Sequence, residues 1–78
     1  MDPTARALQK SVESAIPSAV VEVASGSPGH YALVVKSEAF QGRPMLECHR
    51  MVYAAIAPLM AGESAPVHAI DTLKTIAS

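Results

Sequence analysis

The stretch "SAVVEVASGSPGHYALVVKS", Ser18 to Ser37, decides how the rest of the chain is read. Its first part is rich in β-branched residues and partly alternates apolar with polar, as a half-covered strand does. "GSPG", Gly26 to Gly29, is turn punctuation, after which "HYALVVKS" resumes the strand pattern. Two strands joined by a turn of about five or six residues are expected, which is a hairpin. From Tyr31 to Val35 the second strand is almost unbroken in apolar residues. Such a run suits a strand covered by helices or flanked by other strands.

On the N-terminal side, Asp2 followed by Pro3 reads as an N-cap with proline at the first helical position. Ala5, Leu8, Val12 and Ile16 then recur at helical spacing until Pro17 stops the helix. On the C-terminal side, "SEAFQGRP" is a connection punctuated by Gly42 and Pro44, with one helical turn expected at Ser37 to Phe40. A long helix follows from Pro44 to near Gly62. Its expected stripe is Leu46, His49, Val52 or Tyr53, Ile56, and Leu59 or Met60. Pro58 lies inside it, removes one backbone hydrogen bond near Ala54 and should loosen the last turn. After the loop "ESAP", "VHAIDTLKT" from Val67 to Thr75 supplies a third strand.

The order α-β-β-α-β predicts an α+β fold: a two-layer sandwich of a three-stranded mixed sheet with both helices on one face. The first two strands run antiparallel. The third follows a helical crossover and so lies parallel to the second, with the usual right-handed connection. At 78 residues the chain is expected to form a single domain, 1–78, with room for one small core. Half of it is hydrophobic, but Ala and Val dominate, and Phe40, Tyr31 and Tyr53 are the only aromatics. Small side chains suit a thin sandwich better than a deep ligand cavity.

Six Lys and Arg against seven Asp and Glu give a formal net charge of -1, so no overall field draws the molecule to nucleic acid or membrane. Its start, "MDPTARALQK", lacks an apolar signal core, and no run is long enough to cross a bilayer. A cytoplasmic location is expected. The single cysteine, Cys48, excludes an internal disulfide.

Cys48 and His49 are adjacent, which suggests a nucleophile and its base until the helix is considered. Successive helical residues point about 100° apart, whereas catalytic partners need hydrogen-bond contact. Cys48 therefore reads as a small, half-buried packing residue. Cys48, His49, His30 and His68 show no CxxC, HxxxH or HExxH spacing that would nucleate a metal site. By themselves His68, at a strand entry, and His30, at the mouth of the hairpin, read as surface or satisfied histidines. Lys36, Arg43, His49 and Arg50 are candidates for a nucleic-acid patch near the start of the long helix, where backbone N–H groups favour phosphate. No aromatic platform interleaves them. Few acid–base groups and no catalytic motif leave little reason to expect an enzyme.

Taken together, "HYALVVKSEAFQGRPMLECHRMVYAAIAPLM" followed by "PVHAIDTLKT" resembles the BolA family. The pattern is an aromatic-led strand ending in Ser37, then Phe40, Gly42, a His49-Arg50 pair leading a "VY" helix, and His68-Ala69-Ile70. It spans roughly Ile16 to Thr75. The resemblance implies an α-β-β-α-β fold similar to type II KH domains and a non-enzymatic role. It implies pairing with a monothiol glutaredoxin and a shared two-iron two-sulfur cluster, used in iron–sulfur maturation and trafficking or in iron signalling. Glutaredoxin and glutathione would supply thiolates to the cluster, and none is expected in the isolated protein, a monomer or weak homodimer. Some bacterial relatives are described as transcriptional regulators of morphology and stress, so DNA is the alternative partner.

Carried over by residue, His68 matches the family's C-terminal-strand histidine, which looks like a cluster ligand. The family's second ligand, a histidine or a cysteine, comes from the loop between the first two strands. Here only His30, at its very end, is available, so the chain resembles the histidine type with a shortened loop. Two departures bear on nucleic acid. Family members commonly carry arginine where Cys48 stands. "QGRP" occupies the place of the KH-domain GxxG yet keeps only Gly42, which weakens any backbone clamp. For iron, neutral imidazole is a suitable ligand, and two histidines on one iron raise the cluster potential. A ligand must also give up its proton, which couples binding to pH.

Overall fold

The computed structural model describes residues 2–78. Helix α1 is Pro3–Ala15, strand β1 Val20–Ser25, strand β2 His30–Ser37, helix α2 Met45–Met60 and strand β3 Ala69–Ala77, with one 3-10 turn, Glu38–Phe40, before α2. The sheet order is β1-β2-β3, antiparallel between β1 and β2 and parallel between β2 and β3. This is the expected α+β arrangement. Among the described residues no helix is long and apolar enough to cross a membrane.

Asp2 caps α1: its Oδ1 accepts the Ala5 N–H at 2.8 Å, and Pro3 sits at the first helical position, where its missing N–H costs nothing. Ala5, Leu8 and Val12 form the buried face of α1, and Ile16 at its C-cap is buried with them. They meet Tyr31, Leu33 and Val35, the alternate residues of β2, together with Val21, Phe40, Val52, Ile56 and Val67. The intervening residues His30, Ala32, Val34 and Lys36 point to the face that carries no helix.

Two boundaries and the buried face of one helix differ from expectation, each for a tertiary reason. The hairpin connection is only Gly26–Gly29, because His30 already pairs with β3 and its N–H donates to Ser27 O at 2.9 Å. β3 begins at Ala69 rather than Val67, because Val67 is drawn into the core and its N–H donates to Leu59 O, one of the carbonyls that a helix end leaves free. The buried line of α2 is Cys48, Val52 and Ile56. Leu46 is 63% exposed, Tyr53 is exposed and His49 only half-buried. The crossover explains the phase. It passes so close to the helix start that the Cys48 Sγ lies 3.9 Å from Phe40 O and 3.8 Å from Arg43 O. A small side chain fits there, so Cys48 is buried outright rather than half-buried.

Ser37 ties the two halves of the chain together. It is fully buried at the end of β2, its hydroxyl donates to Pro17 O at 2.6 Å, and its Oγ accepts the Ala39 N–H at 3.0 Å. One hydroxyl thus fixes both the α1–β1 link and the start of the crossover. Ser37→Ala should leave the Pro17 carbonyl unpartnered and cost about 1–3 kcal/mol. Thermal unfolding should show this as a loss of roughly 4–8 °C per kcal/mol for a domain of this size. An unchanged midpoint would mean that water replaces the hydroxyl.

Candidate functional site: two histidines at one end of the sheet

Because β2 and β3 are parallel, His30 at the start of β2 and His68 just before β3 arrive at the same end of the sheet. The link between them is the Gly29 carbonyl, which accepts the N–H of His68 at 2.8 Å and that of Ala69 at 3.1 Å. Val67, anchored in the core, fixes the residue before His68. The His68 backbone is therefore held on both sides while its side chain stays exposed.

Gly29 also forms a wall for the ring. A Cβ added there would lie 2.3 Å from His68 Cδ2 and 3.0 Å from its Cγ, so the imidazole rests where any other residue would put a side chain. Gly29 also has φ 79°, a conformation L residues rarely adopt. Close approach and backbone conformation independently require glycine.

The His30 ring points to the helix-free face, where its Nδ1 lies 3.0 Å from Asp71 Oδ1. Asp71 reaches it through an irregularity in the parallel ladder. His30 pairs with Ala69 and Tyr31 with Ile70, but Ala32 pairs with Thr72, leaving Asp71 as the extra residue of a bulge. Neither Gly29 nor Asp71 stood out in the sequence as a site residue. The "GH" junction ending the hairpin was the one available signal for Gly29. A bulge has no comparable local signature.

The other candidates lie on different elements. Lys36 is exposed at the far end of β2 on the helix-free face, while Arg43, His49 and Arg50 belong to the crossover and α2. The Arg43 guanidinium is engaged, with Nε donating to Ala39 O at 2.8 Å and Nη1 paired with Glu47. Cys48 lies in the core, and among the described residues no three His, Cys, Asp or Glu side chains form a metal-binding group.

Compared with known proteins, the sequence matches the BolA-like protein family over residues 6–77. The chain belongs to the BolA family. It is 34% identical over 77 residues to BolA-like protein 1 of Pongo abelii, covering 87% of this chain and 54% of that protein, so it spans about half the length of that curated relative. Among BolA structures, the solution structure of the BolA1 protein from Mus musculus is similar with a TM-score of 0.71 and 30% identity, over 96% of this chain and 67% of that one. A BolA-like protein of Rickettsia prowazekii gives 0.69 and 28%, over 97% and 96%. The two helices and three-stranded mixed sheet are thus the BolA fold.

If Gly29 seats His68, Gly29→Ala should displace the ring and cost about 1 kcal/mol or more through the positive φ alone. The expected result is a shifted His68 Cδ2–H resonance together with a lower denaturant midpoint. A stability loss with the resonance unmoved would show that the ring does not rest on Gly29.

Proposed function

We propose that this BolA-family chain is a non-enzymatic binding module. It docks on a monothiol glutaredoxin and shares with it a two-iron two-sulfur cluster, in iron–sulfur maturation and trafficking or in iron signalling. His68 and His30 are this chain's ligands, and the partner's cysteine and a glutathione thiolate are the others. The observation that carries the reading is the Gly29 carbonyl, whose paired hydrogen bonds bring the His68 backbone to the start of β2, beside His30.

The donor set suits that group. Such clusters take four terminal ligands, and histidines replace cysteines at one iron in known centres. Two imidazoles from one chain and two thiolates from the other make up that number. The His68 ring is exposed, and His30 is half-exposed with its Nε2 away from the Asp71 contact. When bound, a cluster with histidine ligands has a raised potential and is more readily passed on than one held by thiolates alone. This chain's part is to present two neutral donors on strand ends, which hold side chains more rigidly than loops do.

Reconstitution with a monothiol glutaredoxin and glutathione should give a coloured heterodimer with visible absorption and circular dichroism. His68→Ala should lower cluster retention by at least about ten-fold, the scale on which even outer partners of metal ligands act. Because His68 is exposed, the variant should remain folded. Unchanged visible bands in the variant heterodimer would rule out His68 as a ligand.

A DNA-binding regulatory role draws less support, since Lys36 points to the helix-free face and Arg43 is paired with Glu47. Fluorescence anisotropy with duplex DNA over a salt series should detect at most weak binding with little sequence preference. Tight binding abolished by Arg43→Ala with Arg50→Ala would restore that role.

A further inference from the structure

His68 and His30 are held by different means. The first rests against a glycine, and among the described residues no hydrogen bond to its ring is present. The second makes a side-chain hydrogen bond that has a chemical consequence. An ionised carboxylate only accepts hydrogen bonds, so the 3.0 Å contact between His30 Nδ1 and Asp71 Oδ1 requires the proton on Nδ1. In the neutral ring the lone pair then resides on Nε2, directed away from the carboxylate. Asp71 is free to serve this way because it is the bulge residue, with no partner opposite it on β2.

We infer that Asp71 is the positioning residue of His30: it selects the Nδ1–H tautomer and the ring orientation, so that Nε2 is presented as an unprotonated donor. Its consequence for the cluster rests on the ligand assignment proposed above; the tautomer does not. Without a carboxylate at Nδ1, the neutral side chain in water favours the proton on Nε2, which blocks the donor atom. Metal-bound histidines commonly donate their other N–H to a carboxylate, and losing that partner weakens binding about 10–100-fold. A bulge that re-aims a side chain beside a binding residue is a recurring device.

The first test uses the isolated protein. Nitrogen-15 correlation spectra, recorded well above the histidine titration range, should show His30 with Nδ1 protonated and Nε2 bare. Asp71→Ala should reverse this while the amide spectrum stays dispersed. A wild-type Nε2–H form, or a tautomer unchanged in the variant, overturns the inference whatever the cluster does.

The second test uses the glutaredoxin heterodimer. Asp71→Ala should lower cluster retention about ten-fold in the wild-type background and have no further effect alongside His30→Ala. An equal loss in both backgrounds would assign Asp71 a general structural role and overturn its action through His30. The expected tautomer together with a His30→Ala variant that retains the cluster would instead reject His30 as a ligand, and with it the part of Asp71 in cluster binding.

Discussion

The arrangement at the two-histidine end of the sheet depends on one carbonyl. Gly29 O receives two N–H groups from the chain entering β3, and that pair starts the parallel register. Parallel pairing of β2 with β3 requires a long crossover, and that crossover contains α2. The helix must then cover the face on which Tyr31, Leu33 and Val35 already stand, since the larger apolar surface waits there to be buried. Layering, strand order and the approach of two histidines all follow from the same junction.

A chain this small gains little from any one contact, so the ends of the crossover need their own ties. At its start, the Ser37 hydroxyl links the β2 end to Pro17 and Ala39. At its finish, the Val67 N–H takes the free carbonyl of Leu59 and hands the chain to His68. Pro58 is tolerated one residue earlier because α2 ends at Met60, two residues beyond it, where few intrahelical bonds remain to be lost.

The order of elements was legible because its signals are local: Asp2-Pro3 at a helix start, Pro17 as a stop, β-branched runs on either side of "GSPG". What escaped depended on residues distant in sequence. The phase of α2 could not be read from its own apolar spacing, since Leu46 and Tyr53 fit a stripe as well as Cys48 does. The crossover at Phe40 and Arg43 closes over the Cys48 position, where a small side chain fits. Val67 has the composition of a strand residue, yet its backbone is claimed by α2. The family resemblance pointed to His68 and His30. The features that hold them, a glycine wall and a bulge, depend on how β2 meets β3.

For the proposed role, those two supports let a four-residue hairpin connection do what a longer ligand-bearing loop would do. A histidine within a flexible loop must be ordered when it binds, and that ordering weakens the complex. His30 instead begins a central strand with its backbone in the ladder and its ring on a carboxylate, so most of that freedom is already lost in the free protein. His68 has a backbone fixed by Gly29 and Val67 but a ring bounded on one side only, leaving it the more adjustable of the two. Under the proposed cluster-sharing role, one fixed and one adjustable imidazole would let the end of the sheet accept a ligand whose exact position is set by a second protein.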